Sequence, residues 1–477
     1  MVLGGCAGAE TENRDMLTDG LSIIIKNAGT GRYLNMQLAG MVEQAKVIQL
    51  AQTRMLDEVW LLEQDGAHWR IKNAMTGRYI SWRSHEAGGI IELKSMADES
   101  GLWQITQAAD DGSYSIRPAA DAGDTALAFG FAADDISVMN EPLLLEFSGE
   151  TPLLAWEFIE VELPFGVPAM LPVAGDIFHS SCPQMIKDGD TYYLYIMYPG
   201  ISIKESQDMV NWKSVGRVFP GGDPSWLAAE VPGYGIWAPS AYRIGDLYYV
   251  YYCISTIGSQ NSAIGVAVNT TLDIESPDFR WRDLGMVIRS HTGDAYNCID
   301  PNIIMDDSGR IWLTFGSFWN GLYQMEIDPA TGHLIDPAAE PIHIAQRTVN
   351  NGAIEAPWIV RRDGYYYLFV AFNPMDLSYH NRVGRSESVH GPYLDREGRE
   401  MLKGGGSVVT QGLLEMTMPG HASVFIDDDG SCYLVGEYFR TASLSDFPSI
   451  LYISSIVWDD EGWPITALTP DIYLEKN

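Results

Sequence analysis

The sequence predicts an all-β protein made of two successive repeat arrays, the second of them a five-bladed β-propeller. Three observations lead there. Helical periodicity is nearly absent, and short runs rich in Tyr, Val, Ile and Trp recur between Gly, Asp and Asn turns. Self-similar segments return at a spacing in the forties over the first third of the chain. Beyond that, five further units follow one another at about 50 to 60 residues each.

In the first array, I-I-I-K-N-A-G-T-G-R-Y-L from Ile23 to Leu34 returns as H-W-R-I-K-N-A-M-T-G-R-Y-I from His68 to Ile80. A weaker copy, Y-S-I-R-P-A-A-D-A-G-D-T-A-L-A, runs from Tyr114 to Ala128. Each copy ends near a tryptophan in an apolar context, at Trp60, Trp103 and Trp156. The array resembles the ricin-B-type β-trefoil over residues 21–162, after a polar segment, 1–20, that reads as mobile. Members of that family often bind sugars, so the resemblance makes the array a candidate carbohydrate-binding module. The Gln that often stands two residues before the repeat tryptophan is Glu58, Gly101 and Leu154 here, so the tryptophans read first as core residues.

Composition narrows the function. The 63 acidic and 30 basic residues leave a formal charge of -33, which argues against nucleic acid or an anionic membrane as partner and fits a neutral polysaccharide. With 14 Trp and 24 Tyr, the chain carries more rings than a plain core requires, and such rings can stack on sugars. Five scattered cysteines make neither a disulfide framework nor a CxxC zinc pair, and no apolar run is long enough to span a bilayer. The opening M-V-L-G-G-C-A-G-A-E is like the cleavage end of a bacterial lipoprotein signal without its hydrophobic region, which makes Cys6 a candidate lipid site. The expected location is extracellular, periplasmic or at the surface, as a monomer.

A Pro-rich joint, L-P-F-G-V-P-A-M-L-P, falls within residues 163–174 and reads as a short stiff linker. From 175 to 477 come T-Y-Y-L-Y-I-M, L-Y-Y-V-Y-Y-C-I, R-I-W-L-T-F-G, Y-Y-Y-L-F-V-A-F and S-C-Y-L-V-G-E-Y, each after a Gly- or Asp-rich turn. Five like units make five blades. The innermost strands of a propeller converge on its axis, so chemistry belongs to the segments just ahead of these runs. One of them, A-I-E-A-P-W-I-V, sets Glu355 among small and apolar residues. Ionising a carboxyl group there carries a desolvation cost, so its pKa rises and it can act as a general acid. Asp300, in C-I-D-P-N-I, holds the equivalent point of the neighbouring blade, and a like charge nearby lifts the pKa of Glu355 further.

The order I-W-A-P, I-D-P-N-I, G-S-F-W-N-G, A-I-E-A-P-W-I, V-G-R-S, G-P-Y and P-G-H-A-S-V resembles glycoside hydrolase family 43, and within it the arabinanases, over about Gly175 to Thr469. The resemblance implies inversion by three inward carboxylates: a general acid matching Glu355, a pKa modulator and orienter matching Asp300, and a general base. The base should stand in a His-Asp-Pro ahead of the first blade. Cys182 stands there instead, before Pro183, and a thiol is a poor acceptor for a water proton. Asp176 is six residues upstream, roughly 20 Å away if extended. Ser240 replaces a second acid that the family often has after W-A-P.

The resemblance also implies that His421, in P-G-H-A-S-V, lies beside an axial metal, calcium or sodium, held largely through water. No organic cofactor is expected. Trp237, Phe318 and Trp319 fall where they could face a sugar ring, and Ser317 and Arg385 where they could donate hydrogen bonds to it; packing is the alternative for each. The expected function is inverting hydrolysis of α-L-arabinofuranosidic bonds, 1,5-linked, in plant arabinan or arabino-oligosaccharides. The alternatives are a catalytically silent arabinan-binding protein and a family-43 enzyme on another pentose substrate, an arabinofuranosidase or β-xylosidase.

Overall fold

A computed structural model of the chain describes residues 17–36, 45–108, 112–120, 127–131, 141–146, 152–197, 199–413, 416–440 and 448–476. Over these the protein is all-β, with one five-residue helix, Trp226–Glu230, and a few short 3-10 turns. Cys6 lies outside the described residues.

The first array closes on itself. Leu21–Asn27 pairs with both Val59–Asp65 and Trp156–Glu162, Val59–Asp65 with His68–Asn73, and His68–Asn73 with Trp103–Gln107. Trp103–Gln107 pairs with Tyr114–Pro118, which returns to Trp156–Glu162 and completes a ring of six strands. Three hairpins hang from the ring: Tyr33–Met36 with Ala45–Leu50, Tyr79–Trp82 with Ile91–Lys94, and Leu127–Gly130 with Leu143–Glu146.

The repeated motifs explain the repeated geometry. Asn27 Oδ1 accepts from the N–H of Thr30 at 2.9 Å, and Asn73 Oδ1 from that of Thr76 at 3.1 Å, so N-A-x-T-G folds as the same side-chain-capped turn twice. Gly31 and Gly77 both sit at φ 66°, in the left-handed region that glycine enters without steric cost. Trp60, Trp103 and Trp156 are fully buried, and their indole N–H groups donate to the carbonyls of Leu34, Ile80 and Phe129 at 3.0, 2.9 and 2.9 Å. A buried ring with its one donor satisfied is a core residue. These tryptophans close the array and present no face to a sugar.

The five blades follow as separate four-stranded antiparallel sheets, the first extended by Ala174–Gly175. Their first strands are Gln184–Asp188, Gly235–Ile244, Asn302–Met305, Ile354–Arg362 and Ser423–Ile426. Each contacts the next, and the last contacts the first, so these are the innermost strands of a closed five-bladed propeller. Polar side chains stitch the ring: Gln184 Oε1 accepts from Ala241 N–H at 2.7 Å, Asn302 Oδ1 from Ile359 N–H at 3.0 Å, and Ser423 Oγ donates to the Pro183 carbonyl at 2.8 Å. Such bonds satisfy buried backbone groups that lie beyond the edge of each sheet.

The two arrays share one apolar core, which runs from Ile24 and Trp60 through Met170 and Val173 to Ile453 and Tyr473. The Pro-rich joint is fastened at both sides, Met170 N–H to the Met75 carbonyl at 3.0 Å and Leu171 N–H to that of Ile453 at 2.8 Å. The chain's last strand, Leu474–Glu475, leaves the propeller and pairs with Trp156–Glu162. Glu58, at the position where a sugar-binding residue was sought, serves this joint. It accepts the N–H groups of Thr53 and Arg54 at 2.9 and 2.7 Å and the hydroxyl of Tyr473.

Candidate active site

Glu355 is the second residue of the fourth blade's innermost strand, opposite Ala371. Pro357 has no N–H for the ladder, and the strand bulges between Glu355 and Trp358, with Ala356 at φ 53°. W-A-P in the second blade makes the same bulge between Trp237 and Ser240. Bulges of this kind re-aim the side chains beside them. Asp300, Cys182 and His421 also adopt positive φ, at 56°, 50° and 45°. Non-glycine residues in this region carry strain, and four of them gathered at one end of the axis mark it as the functional end.

The half-buried carboxyl of Glu355 is gripped on both oxygens. Tyr379 donates its hydroxyl to Oε1 at 2.6 Å and Ser317 to Oε2 at 2.8 Å. Burial raises its pKa, the charge of Asp300 raises it further, and His421, Tyr379 and Ser317 pull in the opposite direction. Asp300 is only 6% exposed and accepts the N–H of Ala356 on Oδ2 at 3.1 Å, so it holds the bulge that carries Glu355. Burial pushes its carboxyl up to about 7. Burial and the neighbouring carboxyl thus both favour the protonated form of Glu355, the form a general acid needs.

Cys182 faces His421, Sγ to Nδ1 at 3.5 Å, and both line a small axial cavity together with Asp300 and Trp358. Burial, then the charges of Glu437 and Asp300, hold the thiol well above its usual range. A neutral thiol does not take a proton from water. No described carboxylate upstream takes its place: Asp176 lies at the outer edge of the first blade, where it accepts the N–H of Ser214 at 2.8 Å. Ser240 is buried in its strand, opposite Tyr251.

The remaining predicted residues divide. Trp319, 38% exposed, and the neighbouring Phe318 sit at φ 44° and 54° on the loop between the third blade's second and third strands, Ile311–Phe315 and Leu322–Ile327, and that loop reaches Glu355's strand through a 2.8 Å bond from Phe318 N–H to the Ile354 carbonyl. Trp237 is half-buried and packs, like Cys182, against the core between the second and third blades. Ser317 spends its hydroxyl on Glu355 and so acts on the acid itself. Arg385 is corrected outright. Its guanidinium bonds the carbonyls of Glu461 and Gly462 and stacks over Tyr365 and Trp463, because V-G-R-S lies on the fourth blade's third strand, away from the axis.

Sequence reasoning missed Tyr379 and Glu437. Nothing distinguishes Tyr379 from the other tyrosines of its blade. Glu437 does carry a signal: it is the lone acid in the run C-Y-L-V-G-E-Y, and a charge at a buried strand position requires a reason. As to a metal, no group of three or more His, Cys, Asp or Glu able to hold one occurs among the described residues. His421 supplies a single nitrogen to the axis, which suits an ion held through water and not an inner cage of side chains.

The profile of Glycosyl hydrolases family 43 matches residues 178–464. The chain is 41% identical over 297 residues to the extracellular exo-α-(1→5)-L-arabinofuranosidase ArbA of Cellvibrio japonicus, which covers 59% of this chain and 84% of that protein. It is 36% identical over 293 residues to the extracellular endo-α-(1→5)-L-arabinanase 1 of Bacillus subtilis, covering 59% and 86%. Among solved structures, the α-L-arabinanase of Cellvibrio cellulosa complexed with arabinohexaose superposes with a TM-score of 0.57 at 39% identity, over 61% of this chain and 96% of that one. Propeller, bulged acid strand and matched span agree, and the chain belongs to glycosyl hydrolases family 43.

Proposed function

We propose that this glycoside hydrolase cleaves α-1,5-linked L-arabinofuranosidic bonds of arabinan with inversion, using Glu355 as general acid and Asp300 as the residue that orients it and raises its pKa. The observation that carries the reading is the grip on Glu355: two hydroxyl donors on its oxygens, a buried carboxyl beside it and a half-open face toward the axis. The arabinan specificity is supported by relatives of both exo and endo type, each named for the α-(1→5) linkage. Trp319 and Phe318, at the mouth beside the acid, are the sugar-facing rings of this reading, with Trp237 across the axis. The relatives' extracellular names favour secretion.

The same reading makes residues 21–162 a β-trefoil scaffold, joined through 163–174 to a catalytic unit of 175–477. The six-strand ring, the three hairpins and the threefold tryptophan bonds support it. A calcium or sodium ion beside His421 would be held through water and would fix charge on the axis. Activity on linear arabinan, followed by reducing ends and product length, tests the function: the wild type releases arabinose or short oligosaccharides and Glu355→Gln does not. A wild type that yields no product at high loading would identify a protein that binds arabinan without cutting it.

A further inference from the structure

The first blade lacks the carboxylate that inversion requires, yet a different carboxylate stands next to the vacant position. Glu437 belongs to the second strand of the fifth blade, Cys432–Tyr438. That strand is tied to the lead-in of its innermost neighbour by Ser423↔Val435 on one side and Thr417↔Phe439 on the other, which sets Glu437 at the height of His421. Its Oε1 accepts the backbone N–H of Cys182 at 3.2 Å. Its side chain therefore arrives behind the residue where the base is missing. Oε2 is buried and makes no hydrogen bond of good geometry among the described residues. The hydroxyls of Ser181 and Ser449, bonded to each other at 2.8 Å, lie beside the carboxyl and favour its ionised form by hydrogen bonding.

A wholly buried carboxyl, 1% exposed, is costly for a fold to keep. Filling space alone would be met more cheaply by an apolar side chain than by a carboxyl. Position 182 supplies the complement: a cysteine ends at one sulfur, where an aspartate would carry two oxygens on an extra carbon, and it borders the axial cavity. The smaller side chain takes up less of the wall between that cavity and Glu437, which stands just behind it.

Given arabinan hydrolysis as proposed above, we infer that Glu437 is the general base of this enzyme, a carboxylate delivered from the fifth blade to replace the one absent at Cys182. Water passes one proton to Oε2 while its oxygen bonds to the anomeric carbon. The bond from that carbon to the leaving oxygen breaks on the opposite face, and the leaving oxygen takes the proton of Glu355. Glu437 ends protonated and Glu355 ionised, and exchange with solvent restores both. Burial supports the assignment, since it pushes the Glu437 carboxyl up to about 7, where it can both take and return a proton.

The test is kinetic and uses the full chain on linear arabinan. Glu437→Gln is expected to lower kcat by roughly 100- to 10,000-fold, the range for loss of a positioned base, with KM changed by a few-fold at most. In Glu437→Ala, azide is expected to restore turnover and to yield the arabinosyl azide of inverted configuration, which a residue of purely structural importance would not produce. Cys182→Asp placed in the Glu437→Gln background is expected to recover activity by returning a carboxylate to the first blade. The inference falls if Glu437→Gln keeps wild-type kcat, or if azide fails to rescue a folded Glu437→Ala and Cys182→Asp fails to rescue a folded Glu437→Gln. A wild type inactive on arabinan removes the function itself, which is a separate result.

Discussion

Tyr379 and Glu355 share a 2.6 Å hydrogen bond, with the phenol donating to Oε1 of the acid. The bond does two things of opposite sense. It orients the carboxyl, and by favouring the ionised form it lowers the pKa that burial has raised. Tyr379→Phe is therefore expected to reduce kcat by about tenfold through lost orientation. It should also move the alkaline limb of the pH–rate profile upward, because Glu355 then keeps its proton to higher pH. An alkaline limb that moves down, or stays, would contradict the assignment of Glu355 as the acid.

Asp300 acts on the same group with the other sign. Its charge raises the pKa of Glu355, and its Oδ2 holds the N–H of Ala356. Asp300→Asn keeps the size and removes the charge. The expected result is an alkaline limb shifted to lower pH and a kcat lower by about 100-fold, with KM little changed. The opposite shifts of the two variants, measured on one substrate, are the discriminating observation.

Buried acids also make stability depend on pH. Asp57, fully buried with Oδ2 unpartnered among the described residues, is pushed by burial from 3.8 up to about 7, and Asp300 and Glu437 reach about 7 as well. Between roughly pH 4 and 7 the folded state therefore holds protons that the unfolded chain has released. Unfolding free energy falls as pH rises through that window and levels off above it. The melting temperature is expected to be higher at pH 5 than at pH 8, and Asp57→Asn should narrow the gap by raising the value at pH 8. Differential scanning fluorimetry checks both.

The ion proposed beside His421 makes a separate prediction. Exhaustive chelation in sodium-free buffer is expected to lower the rate on arabinan, added calcium or sodium to restore it, and His421→Ala to remove the response. A wild-type rate unmoved by chelation and by sodium would mean that His421 serves only to face the Cys182 thiol.

What the sequence disclosed, and what it did not, follows from where the determining interactions lie. The five blades were legible because each is a local run of β-prone residues after a tight turn, and E-A-P-W carried its bulge in its own proline. Asp300 was found for the same reason, as the counterpart of Glu355 one blade away. Tyr379 was not, since its importance rests on one hydroxyl aimed across a hairpin at Glu355. Arg385 was misjudged because a strand pattern does not say which strand of a blade faces the axis. Glu437 lies 255 residues from Cys182, and only closing the ring between the fifth and first blades brings them together.

The bond from Tyr473 to Glu58 bridges 415 residues, and the strand that follows Tyr473 completes its pairing on Trp156–Glu162. Contacts of such separation form only after the intervening chain has been ordered, because closing so large a loop gains nothing until its ends are already held near one another. The first array closes its own ring between Leu21–Asn27 and Trp156–Glu162, whereas the joint between the two arrays waits for the last blade. Whether Tyr473 is docked on Glu58 becomes a record of whether every blade between them has found its place.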